Sequence, residues 1–183
     1  MKKAVILAPV FLALLALSCK KVEQQVENII SFTVNVSQVS KVPPPTHFHT
    51  ALPKPVTIIT NSSASLNGNN TNRDRVKNVY LDRFQLTLVN PPASAPDFDF
   101  LDTLRVYINT PNVNNRILLG HIYHPALGQT TLTLTPTTAR LDEYLKSDKY
   151  ELSVYSRQSN TTNVTDSLSI RSDARFKVTA ATL

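Results

Sequence analysis

From Val164 to Val178 the chain sorts its side chains by parity. Val164, Leu168, Ile170, Ala174, Phe176 and Val178 are all even, while Arg171, Asp173, Arg175 and Lys177 are all odd. A helix would scatter these residues around its surface; only a long two-sided strand places them on opposite faces. A bulge is expected within it at Ser172. One face of this strand must therefore meet a core, and the rest of the chain has to supply the matching sheet.

Shorter segments repeat the signal. Ile30, Phe32, Val34 and Val36 alternate with Ser31, Thr33, Asn35 and Ser37. Val79 and Leu81 hold one phase and Phe84, Leu86 and Leu88 the other, so a β-bulge is expected near Asp82-Arg83. Leu104, Val106 and Ile108 alternate against Arg105, Tyr107 and Asn109. Ile117 and Leu119, Leu132 and Leu134, then Tyr150, Leu152 and Val154 continue the theme, and Val56–Thr60 adds a short strand. Between them lie a connection at 42–55, with five prolines from Pro43 to Pro55, and a polar loop at 61–74. Helical turns are expected near 71–78, capped by Thr71 or Asn72, and near 138–146 after a threonine cap.

Seven or eight such strands predict an all-β domain over 29–183. The expected architecture is an antiparallel, immunoglobulin-like β-sandwich, with a small closed barrel as its rival. The chain has 183 residues, 42% apolar and 17% charged, enough for one domain with a real core.

Composition excludes several functions. The only glycines are Gly68, Gly120 and Gly128, so neither a dinucleotide-binding glycine loop nor a phosphate-binding Gly-Lys loop can be written. The formal charge is +6. Removing Lys2 and Lys3 takes the 19 basic residues to 17 against 13 acidic ones, a balance of +4. These charges are scattered rather than gathered on one arm, so nucleic acid is not an expected partner.

The chain opens with Lys2-Lys3, an apolar stretch from Ala4 to Leu17, and then Ser18-Cys19, the single cysteine. Fourteen apolar residues are too few to span a bilayer, which takes about 20. They suit the apolar centre of a secretory signal. "LALSC" resembles the lipobox of bacterial lipoproteins: Ala16, Leu17, Ser18 and Cys19 match it, with Ala16 standing where leucine is commoner. The resemblance implies a signal peptide at 1–18, cleavage before Cys19, and a diacylglyceryl and N-acyl lipid on its sulfur and amine. Residues 19–28 would then be the lipidated cysteine and a tether. "SCKK" followed by a Thr/Asn/Ser-rich β domain resembles cell-envelope lipoproteins of the Bacteroidota, which implies an outer-membrane location. Lys20-Lys21-Val22-Glu23 lacks the acidic residues that usually direct such proteins outward, so the face of the membrane stays open.

Chemistry-bearing residues are few. His47 and His49, and His121 and His124, form two pairs, but no nearby acidic or thiol ligand completes a metal site, and exposed loop histidines are expected. Asp97, Asp99 and Asp102 lack the spacing of a calcium loop and are expected to cap a turn that sends Phe98, Phe100 and Leu101 to the core. No nucleophile elbow or carboxylate pair is recognisable, so no catalytic residue and no cofactor is assigned. Five Asn-x-Ser/Thr triplets begin at Asn35, Asn61, Asn69, Asn160 and Asn163, and read as coincidences of Asn/Thr-rich loops. Asp102-Thr103-Leu104 and Asp166-Ser167-Leu168 resemble the O-glycosylation motif of Bacteroidota envelope proteins, though ordinary strand threonines and serines explain them equally.

The expected role is a non-catalytic binding or accessory module for an envelope protein or glycan, held to the membrane by lipid. A structural subunit of a larger outer-membrane complex, or a hydrolase with an unrecognised site, are the alternatives. The expected binding patch is Arg105, Tyr107, Tyr155 and Arg157. These lie out of phase with their strands' apolar residues, and tyrosine and arginine offer large contact area with directed polar groups.

Overall fold

The computed structural model describes residues 28–44, 50–51, 56–59, 62–159 and 164–183. Among these residues nine strands form: β1 (Ile29–Val42), β2 (Thr50–Ala51), β3 (Val56–Ile59), β4 (Val76–Leu88), β5 (Leu101–Asn109), β6 (Ile117–Tyr123), β7 (Thr131–Pro136), β8 (Lys149–Gln158) and β9 (Leu168–Ala181). Two short helices, α1 (Ser62–Gly68) and α2 (Asp142–Lys146), complete the described elements together with a 3₁₀ turn at Arg73–Arg75.

The strands run in the order β1-β9-β4-β7-β6-β5-β8-β2, with β3 also on β8, and every pairing is antiparallel. The path has a weak joint. β6 and β7 share only Gly120↔Pro136 and His121↔Thr135, so the ribbon folds there into two sheets. One sheet is β1-β9-β4-β7; the other is β6-β5-β8 with β2 and β3. The antiparallel sandwich predicted by the alternation is present. Apart from the β5–β6 hairpin and the short β2–β3 step, successive strands alternate between the sheets, which gives the double-sheet arrangement of a jelly roll.

The core lies between the sheets. Phe84, Leu86, Phe176 and Val178 project from one side, and Leu104, Val106, Ile108 and Tyr150 from the other; all are buried. Tyr150 meets Phe176 edge-on across the gap, with ring centroids 6.3 Å apart. Leu66 of α1 and Tyr144 and Leu145 of α2 are buried in the same core.

The bulge expected at Asp82-Arg83 is there, as a register shift between Leu81 and Arg83 against β9. The bulge expected at Ser172 is not. β9 pairs without interruption with β1 from Leu168 to Ala181, and Ser172 sits opposite Gln38 and Leu86 in regular register. Val164 is buried but precedes the strand.

Helix placement differs from the expectation in three details. The stretch read as a polar loop holds α1, whose single leucine, Leu66, is fully buried. The turn after it is only three residues long, because the strand begins at Val76. Asn72 caps it by accepting from the amides of Asp74 and Arg75, while the Thr71 hydroxyl is drawn inward to the Ala181 carbonyl at 2.5 Å. α2 starts after Leu141 with no side-chain cap. Asp142, in its first turn, instead accepts from the amide of Val79 at 2.6 Å and ties the helix to β4.

Residues 1–18, the signal peptide and cleavage site of the sequence reading, lie outside the described residues, as do Cys19 and the tether through residue 27. Within the proline-rich connection, Thr50–Ala51 pairs with Ser156 and Tyr155 of β8. Among the described residues no helix is long and apolar enough to cross a membrane.

Candidate functional site

The outer face of the β6-β5-β8 sheet gathers aromatic and basic side chains in rows set by register. His121, Arg105 and Tyr155 form one row across the three strands. Tyr123, Thr103 and Arg157 form the next, and Leu118, Tyr107 and Ser153 lie on the other side.

Arg105 sits between two rings. Its guanidinium carbon is 5.6 Å from the centroid of Tyr123 and 5.9 Å from that of Tyr155. Arg116, just before β6, lies over Tyr107 at 4.1 Å. These distances fall within the range in which a ring's negative face attracts a cation. The phenols of Tyr123 and, second, Tyr107 raise the pKa of Arg105 above its ordinary value, so its charge is secure. His121 packs against Tyr123 with ring centroids 4.8 Å apart.

Three polar atoms in this face are covered and lack a hydrogen-bond partner: Arg105 Nε, His121 Nδ1 and Ser153 Oγ. Buried polar groups are nearly always satisfied, so three within neighbouring rows stand out in this face.

A bulge creates the left side of the patch. Val106 faces Gly120 while Tyr107 faces Leu118, which leaves Leu119 as the extra residue on β6. Leu119 and Gly120 both turn inward and are buried, and this resets the phase so that His121 and Tyr123 point out beside Arg105. Gly120 leaves little room for a side chain at the joint between the sheets. A Cβ there would lie 3.1 Å from the Thr135 carbonyl oxygen and 3.4 Å from Leu134 Cβ.

Of the four patch residues read from sequence, Arg105, Tyr107 and Tyr155 cluster on this surface, while Arg157 stands in the next row with its charge engaged. Opposite Thr103, it forms an ion pair with Asp102, which His124 Nδ1 also approaches at 2.8 Å. The Arg157 bond, opposed in part by burial and helped by the Thr103 hydroxyl, holds the Asp102 carboxyl below the usual range. Arg157 is thus a neutralised rim. Tyr123, Arg116 and Ser153 complete the face and were not in the sequence-derived set.

The other candidates separate. His121 belongs to the patch, whereas His124 lies past the strand end at φ 47° and turns to Asp102. His47 and His49 lie outside the described residues. Among the described residues no three His, Cys, Asp or Glu side chains gather as a metal site would require. Asp97 accepts from the amide of Asp99, and Asp99 from that of Gly128, so these carboxylates hold loops rather than converge. Phe98, Phe100 and Leu101 are buried as expected. Thr103 is buried with its hydroxyl on Asp102 at 3.0 Å, which closes it to modification, while Ser167 is exposed. Of the Asn-x-Ser/Thr triplets, those at Asn61, Asn160 and Asn163 begin outside the described residues.

No family model and no curated protein matches this sequence. Solved structures with a similar arrangement include the BFDV capsid protein crystallised as a 60-mer, 5% identical with a TM-score of 0.44 over 85% of this chain and 95% of that one. A protein of Eubacterium rectale assigned as secreted is 10% identical with a TM-score of 0.42, and the match covers 84% of this chain but 40% of its own. Desmodium yellow mottle tymovirus gives 11% identity and a TM-score of 0.31 over 85% and 89%. Likeness of this degree bears on neither ligand nor partner.

Proposed function

We propose that this chain is a lipid-anchored envelope protein whose jelly-roll domain is a non-catalytic binding module for glycans, using the outer face of β6-β5-β8. The lipobox-like segment ending at Cys19 supports the anchor, and the envelope, most simply the outer membrane, is the location it implies. The observation that carries the binding reading is Arg105 clasped between Tyr123 and Tyr155, with Arg116 on Tyr107 beside it.

Sugar rings present flat C–H faces that pack on aromatic rings, and hydroxyls that need directed donors and acceptors. The patch has both. Its tyrosines offer the platforms, and the unpartnered Arg105 Nε, His121 Nδ1 and Ser153 Oγ offer the polar contacts. Arg157 being paired with Asp102, the free charge comes from Arg105 and Arg116, which favours glycans bearing acidic groups.

Affinity electrophoresis of the full chain through gels containing envelope polysaccharide tests this. Wild type is retarded, and Tyr107→Ala/Tyr155→Ala, folded by circular dichroism, migrates as in a plain gel. Equal retardation of the two proteins would overturn the reading.

A further inference from the structure

The strand β1 is an edge. Among the described residues it pairs with β9 alone, for all 14 of its residues and without a bulge. The amide of Thr182 donates to the carbonyl of Asn28, which fixes which backbone groups point which way. Even residues of β1 face β9, and the odd residues from Ile29 to Lys41 turn their N–H and C=O groups outward. Natural edges are usually guarded by proline, by charge or by a bulge. From Ile29 to Ser40 this one has none of the three.

Two large apolar side chains of β1 are exposed, Ile29 at 63% and Val39 at 56%. They stand five residues on either side of Val34. Antiparallel pairing of two β1 strands about Val34 would therefore set Ile29 of each copy opposite Val39 of the other. The same register pairs Ser31 with Ser37 and Thr33 with Asn35, all odd residues, so the outward backbone groups meet as hydrogen-bonded pairs. Phe32 falls opposite Val36 on the core face. No like charges face each other.

We infer that β1 is a self-pairing edge, joining two copies of this chain about a two-fold axis at Val34 into one continuous eight-stranded sheet. Such a contact is isologous and closes at two copies. A single strand pair is a weak interface, and a shared membrane would strengthen it by raising the local concentration. The contact lies on the sheet opposite the tyrosine–arginine face and does not depend on it.

The test uses the full chain in detergent with a short bis-maleimide. In Ser31→Cys/Ser37→Cys the two thiols are far apart within a chain but opposite between chains, so a covalent dimer should form. Wild type and each single cysteine variant should give little. Charge then reads the register. Adding Ile29→Glu and Val39→Glu to the double cysteine variant opposes like charges and should cut the dimer yield about tenfold. Ile29→Lys with Val39→Glu should restore it. Absence of dimer in the double cysteine variant, equal yield from the single variants, or equal yields from the two charge pairs would overturn the inference.

Discussion

Arg105 on β5 and Tyr155 on β8 stand directly opposite one another, with the guanidinium carbon 5.9 Å from the ring centroid. Their apposition follows from register alone, because both are odd residues on strands that turn even residues into the core. What surrounds them comes from the bulge on β6, which carries Tyr123 to the other side of the same cation. The patch therefore depends on a backbone irregularity two strands away from Tyr155.

That dependence gives a prediction at Gly120. Gly120→Ala forces a methyl to within 3.1 Å of the Thr135 carbonyl oxygen, where backbone rather than a pliable side chain must yield. The expected cost is about 1–3 kcal/mol, typical of overpacking. Urea denaturation measures it, and polysaccharide retardation should weaken as the joint moves His121 and Tyr123.

Alkaline stability offers a second check. Burial pushes the Tyr144 phenol from 10.0 up to about 12, with Glu143 adding to the effect. Burial raises Tyr150 as well. In the unfolded chain both phenols ionise near their ordinary value, so between pH 10 and about 12 the unfolded state holds fewer protons. Stability contributed by the neutral phenols is complete below pH 10 and falls as pH rises through that window. Denaturant midpoints measured from pH 9 upward should show this decline, and a Tyr144→Phe/Tyr150→Phe variant should show a shallower one.

Lipidation rests on Cys19. Cys19→Ala should block acyl transfer and yield an unprocessed or soluble product whose β domain still folds. Detergent phase partitioning and intact mass decide it; a variant that partitions and matures as wild type does would remove the anchor from the account.

Much of this fold was legible in parity. β9, the slip at Asp82-Arg83 and the outward setting of Arg105, Tyr107 and Tyr155 all follow from period-two sorting around a buried face. Other features leave no such trace. Strand order is set by connections that cross between sheets, and alternation within a strand says nothing of its neighbour. Extending the odd phase of Ile117 and Leu119 sends His121 and Tyr123 into the core; the bulge at Leu119 that resets the phase is visible only in the pairing of β6 with β5. α1 contains one large apolar residue, Leu66, with only Ala64 beside it, so it has no helical period to read. The pairing of Arg157 with Asp102 required the shift between Leu101 and Thr103, which sequence alternation does not display.

The most direct measurement of the binding face is a titration of acidic envelope oligosaccharide into labelled protein, followed by amide chemical shifts. The account predicts saturable shifts concentrated at 103–107, 118–123 and 153–155, with little change along β1 and β9. Shifts centred on β1 and β9, or no saturable shifts at all, would contradict it.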